Sequence, residues 1–242
     1  MRYRDPSGYC AKNADGTRNA DGGANSDCWQ KYEETNNKLG LGYVPGLDDW
    51  DEGKLNNLLG WLNRGIRFTS NNFNVNLAGG VLYGIGTDWT AAEIGYILDQ
   101  LNGTGDFLKK TLGFTDEMVD KALGIGNGNT LTFNRYVISP GQLYAAFYDD
   151  VNNQINVAFG ADLTNLNNFI YHELGHAIDR NAARVAKTGT GYWSDAYWPG
   201  RDREDYANSF HDWVLGKLTD KGTINRLRNS LITFYVDNYG PG

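Results

Sequence analysis

The chain has 242 residues, a formal net charge of −7 and 40% hydrophobic residues. That length supports one sizeable domain, or two small lobes around a cleft, with ample core. The acidic balance argues against a nucleic-acid partner, because no basic patch is available to neutralise phosphates. No run of eighteen apolar residues exists to span a membrane.

Met1 is followed by Arg2-Tyr-Arg-Asp5, which lacks the apolar stretch of a signal peptide. The expectation is a chain that works where it is made or belongs to something longer. Residues 1–28 are rich in Gly, Asn, Asp and Ser and read as a flexible linker. A folded domain is expected over 29–242, with a helical part about 46–125 and a catalytic part about 130–242. The two cysteines, Cys10 and Cys28, both fall near the N-terminus. A bridge between them would contribute about 3 kcal/mol by loop closure and suit an oxidising compartment. We favour the bridge, although two free thiols fit the sequence as well.

Trp50, Leu55, Leu58, Leu59 and Leu62 predict a helix over 50–62. Thr90-Ala-Ala-Glu93 reads as a capping box opening a second, with Ile94, Ile97, Leu98 and Leu101 as its buried face. A shorter helix starts at Thr115, followed by Met118, Val119 and Leu123. Residues 130–138 alternate as a strand, and 143–148 with 154–159 form a hairpin about Asp149-Asp-Val-Asn-Asn153. An amphipathic helix is expected over 162–184, another over 203–217 and a last one over 224–235. Helices, then a small antiparallel sheet, then helices make an α+β chain without repeats.

Only three histidines occur, and two of them stand in His172-Glu-Leu-Gly-His176 on the 162–184 helix. Positions i and i+4 share a helix face, so both imidazoles can point at one ion. Glu173 lies about 100° round from His172, placed to reach a water on that ion without being a ligand. This is the His-Glu-x-x-His pattern of zinc hydrolases, in which the carboxylate takes a proton from the activated water. Gly175 leaves space beside the rings.

A catalytic zinc takes three protein ligands and keeps one open position. The downstream candidates are Asp195, Asp202, Glu204, Asp205 and His211. On the 203–217 helix, Tyr206, Phe210, Trp213 and Val214 mark a buried side, while Asp205, Ser209 and Asp212 mark a solvent face. Glu204, Asn208 and His211 are expected along one edge of the buried arc, with Glu204 as the ligand and the other two behind it. The alternative is that Glu204 is a first-turn carboxylate suiting the helix dipole. Asp179, at i+3 from His176, either fixes a histidine tautomer or is a solvated helix carboxylate. His211 is either a partner behind the ligands or a buried histidine satisfied by backbone.

His172-Glu-Leu-Gly-His-Ala-Ile-Asp179 followed by Glu204-Asp-Tyr-Ala-Asn208 resembles the gluzincin metallopeptidases, specifically the group around the anthrax lethal factor catalytic domain and the Pro-Pro endopeptidases. The resemblance covers about 130–215. It implies a zincin-like fold, a small antiparallel-edged sheet with an active-site helix and mainly helical surroundings, and Zn2+ as cofactor. It implies His172, His176 and Glu204 as metal ligands and Glu173 as the catalytic base. It also implies that Tyr197, seven residues before Glu204, supports the transition state. Tyr206 stands where that group has phenylalanine, and Asn208 where it has a second glutamate. The hairpin is similar to the edge and return strands of thermolysin-like enzymes, which implies substrate pairing along Ala145, Ala146, Phe147 and Tyr148.

Arg2-Tyr-Arg-Asp-Pro-Ser-Gly8 resembles the string closing the core of RHS/YD-repeat proteins, whose C-terminal domains are often toxins. That implies a domain secreted with or delivered from a larger parent, and a partner immunity protein. The expected activity is a zinc endopeptidase acting on a peptide or protein substrate. Two alternatives stand beside it. One is an interaction module with a structural zinc, for which His211 would supply a fourth ligand. The other is a zinc hydrolase of non-peptide substrates.

Overall fold

The computed structural model describes residues 24–77, 80–138, 146–159, 169–183 and 203–239. Residues 2–8, Cys10, Ala145, Asp195, Tyr197 and Asp202 lie outside the described residues.

The first helix, α1 (Ala24–Leu39), begins inside the segment expected as linker. Cys28, Trp29, Tyr32, Thr35 and Leu39 are buried along one of its faces, and Cys28 is disulfide-bonded. After a 3-10 turn at Leu47–Asp49 comes α2 (Glu52–Arg64), capped by Asp51, whose carboxylate accepts the Lys54 N–H at 2.7 Å. Gly65, at φ 124, ends it where a side chain would meet the Asn129 carbonyl.

Three strands then occur within the part expected to be helical: β1 (Ile66–Thr69), β2 (Phe73–Leu77) and β3 (Gly80–Gly86). The helical expectation for 46–125 is thereby corrected. β1 is four residues long, β2 alternates with asparagines, and β3 carries glycines at 80, 84 and 86, so none has a strong strand signature. α3 (Ala91–Leu112) follows with the expected Thr90/Glu93 capping box, then α4 (Asp116–Ala122), capped by Thr115.

β4 (Leu131–Ile138), β5 (Ala146–Asp149) and β6 (Gln154–Val157) match the expected strand and hairpin. The sheet is mixed rather than purely antiparallel, in the order β2-β3-β4-β6-β5 with β1 also on β4. β4 runs parallel to β1 and β6, while β3–β4 and β5–β6 are antiparallel. β2, β3, α3 and α4 lie between β1 and β4, and β5 lies between β4 and β6, so each parallel pair has an intervening connection.

α5 (Phe169–Ile178) passes into a π-helical turn at Asp179–Ala183. α6 (Arg203–Val214) and α7 (Lys221–Tyr239) complete the described chain. Phe133, Ile155 and Val157 of the sheet share one buried cluster with Ile94, Leu98 and Leu101 of α3, Ile170 and Leu174 of α5, and Phe210 of α6. The buried ion pair of Glu93 and Arg135, at 2.6 Å, ties the start of α3 to β4. The fold class is α+β. No helix among the described residues is long and apolar enough to cross a membrane.

Candidate metal centre

α5 buries Ile170, Leu174, Ala177 and Ile178, which turns His172 and His176 together toward α6. The two helices meet at Gly175 and Ala207. A Cβ on Gly175 would stand 3.0 Å from Ala207 Cα and 3.2 Å from its carbonyl oxygen. The missing side chain is therefore what brings Glu204, one turn before Ala207, up to the histidines. The sequence had suggested only room beside the rings.

The Nε2 atoms of His172 and His176 lie 3.1 Å apart. Glu204 straddles them, with Oε2 at 3.1 Å from His172 Nε2 and Oε1 at 3.3 Å from His176 Nε2. Three donors about 2.05 Å from a tetrahedral ion would be separated by about 3.3 Å. Hydrogen bonds alone serve the trio poorly. If each ring donates to Glu204, two N–H groups oppose one another at the 3.1 Å separation. The donor set, two imidazoles and one carboxylate, suits zinc.

Glu173 is buried beside this trio and, among the described residues, bonds to no other side chain. Its carboxylate accepts the backbone N–H of Tyr148, while Oε2 is buried without a hydrogen-bond partner among those residues. Burial first, and then the charge of Glu204, push its carboxyl up to about 8, against the Tyr148 hydrogen bond, which lowers it. A buried carboxyl oxygen without a partner calls for one. A water held at the adjoining cation site would supply it.

Asp179 is buried, which removes the solvated-carboxylate alternative. It neighbours Tyr206, whose phenol is raised above the usual range by burial and then by the Asp179 charge. Asn208 is exposed and shares a helix face with Glu204, four residues before it. Glu204 is likewise exposed, with 64% of its side chain accessible, rather than set at the edge of the buried arc. His211 is half-buried with Nδ1 at 3.0 Å from Asp212 Oδ1. Among the described residues the one cluster of three metal-ligating groups is His172, His176 and Glu204, so His211 does not join as a fourth ligand.

β5 is the sheet edge beside α5. Ala146 pairs with Val157, Phe147 packs against Phe73 and Tyr136, and the Tyr148 ring lies parallel to that of His176. Three features of the site went unread in the sequence. They are the Tyr148 N–H on Glu173, the Gly175–Ala207 crossing, and the 2.8 Å ion pair of Asp150 with Arg203, the residue before Glu204. Only the last had any signal, as opposite charges at the hairpin turn and at the helix start.

Compared with known family models, curated proteins and solved structures, the chain matches none. Function is therefore argued from the side chains themselves.

Proposed function

We propose that the chain is a zinc endopeptidase of zincin-like fold. One observation carries the proposal: the partnerless carboxylate oxygen of Glu173 stands beside three donor atoms at metal-ligand separations. His172, His176 and Glu204 would hold the ion. When bound, zinc supplies a Lewis acid that acidifies water to a pKa of roughly 7 and draws charge from a carbonyl oxygen.

The remaining steps belong to the chain. An extended peptide is laid along the outer edge of β5 by backbone pairing beside Ala146. Glu173, oriented by the Tyr148 N–H, takes a proton from the attacking water as the new O–C bond forms. It passes that proton to the leaving nitrogen as the C–N bond breaks. The Tyr197 hydroxyl is assigned to the developing oxyanion on the resemblance stated above. The closed four-ligand alternative loses support with His211 directed to Asp212.

Metal analysis tests the proposal. The expected result is one zinc per chain, peptide cleavage abolished by a chelator, and activity restored by added zinc. Cleavage that persists after complete zinc removal would contradict it.

A further inference from the structure

The turn joining β5 and β6 ends at Asn153, which is buried although it sits in a hairpin turn. Its φ of 48 lies in the left-handed region, which asparagine tolerates better than most side chains. Its amide is saturated. Nδ2 approaches the carbonyls of Thr130 at 2.8 Å, Gly124 at 3.1 Å and Leu123 at 3.4 Å. Two hydrogens cannot serve three acceptors equally, so Thr130 and Gly124 take them. Oδ1 accepts the Tyr148 hydroxyl at 2.7 Å and Asn181 Nδ2 at 3.2 Å.

Those two donors lead to the metal centre by two routes. Tyr148 supplies the backbone N–H that holds the Glu173 carboxylate, and its ring lies parallel to the His176 ring at 6.5 Å between centroids. Asn181, in the π-helical turn, also donates to the Ala177 carbonyl at 2.8 Å, one residue past His176. The carbonyls of Gly124 and Thr130 belong to the connection from α4 to β4, where Leu123 and Ile125 are buried and the Ile125 N–H donates to the Asp120 carbonyl at 2.8 Å.

Resting on the zinc reading above, we infer that Asn153 is a positioning residue for the metal centre. It registers the edge strand carrying the contact to Glu173 against the helix carrying His172 and His176. It touches neither ion nor substrate and acts through Tyr148 and Asn181. A purely structural turn asparagine would affect stability but not the ligand field.

The test uses Asn153→Gly, which keeps the left-handed backbone, Tyr148→Phe, which keeps the ring, and the double variant. Zinc affinity is measured by chelator competition and coordination geometry by the visible spectrum of the cobalt-loaded protein, with thermal melting as the check on folding. Each single variant is expected to weaken zinc binding by about tenfold, the size seen when groups behind metal ligands are removed, and to shift the cobalt bands. The double variant should lose less than the sum of the two single losses, since both cut the Asn153–Tyr148 link, while the Tyr148 hydroxyl also bonds with Arg180 and Asn181. Folded variants with wild-type affinity and spectrum overturn the inference, as do additive losses. If Asn153→Gly fails to fold, Tyr148→Phe alone decides, by the same readouts. A wild type that takes up neither metal brings down the zinc reading, and this inference with it. Zinc-binding wild type with unaffected variants brings down the inference alone.

Discussion

At one edge of the sheet the β5–β6 hairpin turns through Asp149, whose carboxylate accepts the Val151 N–H at 3.0 Å, and ends at buried Asn153. At the other edge, the β2–β3 region is anchored by Asn72, accepting the Gly86 N–H at 2.8 Å, and by Asn134, accepting the Asn71 N–H at 2.7 Å. Both edges are fastened by side-chain amides. The first set leads through Tyr148 and Asn181 to α5, while the second leads only to neighbouring strands and leaves Tyr83 and Ile85 57% and 60% exposed. The same chemistry of attachment thus reaches the metal centre at one end and neighbouring strands at the other, and the two ends meet through the rings of Phe73, Tyr136 and Phe147. Changes near β5 should alter chemistry, and changes near β2–β3 should alter stability.

The largest effect is expected from Glu204→Ala, which should weaken zinc binding by at least about a hundredfold, since a ligand matters more than the groups behind it. Asp195→Ala should leave affinity unchanged in the same chelator competition, and the reverse pattern would make Asp195 the ligand. Tyr197→Phe should lower kcat by about a hundredfold with little change in KM, the scale of one lost oxyanion donor. Steady-state kinetics separate the two parameters, and an unchanged kcat removes Tyr197 from the chemistry.

Two glycines sharpen the contrast. A side chain at Gly175 meets the Ala207 backbone, and one at Gly84 meets the Phe73 ring. Each alanine variant should cost about 1–3 kcal/mol by overpacking, read by denaturant unfolding. Only Gly175→Ala should also weaken zinc binding, because the helix bearing Glu204 must move. Equal zinc affinity in both variants would break the distinction between the two ends. The smallest effect belongs to Tyr83→Ser with Ile85→Ser, which should change stability by no more than about 0.5 kcal/mol and leave zinc affinity alone.

The legible parts of this molecule were those fixed by helical period. His172 and His176 share a face at any helix length, whereas Glu204, expected at the edge of the buried arc, is exposed and comes up to the histidines through the Gly175–Ala207 crossing. The capping box at Thr90 and the helix start at Thr115 were readable because such signals are local. β1 escaped because its partner β4 lies far away in sequence, and the β2–β3 pair because Gly84 and Gly86 are chosen for close approach rather than strand preference. The start of α1 was hidden by Asn25 and Ser26, and Thr35 interrupts its apolar stripe while being fully buried. The burial of Ala207 against Gly175 is a contact that no single-helix pattern announces. Asn153 looked like an ordinary turn residue, and its importance depends on Thr130, Tyr148 and Asn181 converging on it.

The most direct measurement is cleavage of an unbiased peptide library by wild type and Glu173→Ala, with zinc content assayed on both. Cleavage by the wild type alone, with equal zinc in each, is the expected result, and the cut sites give the specificity at once. Zinc in both proteins with equal cleavage by both would contradict the assignment of Glu173 as the base and of this centre as the site of hydrolysis.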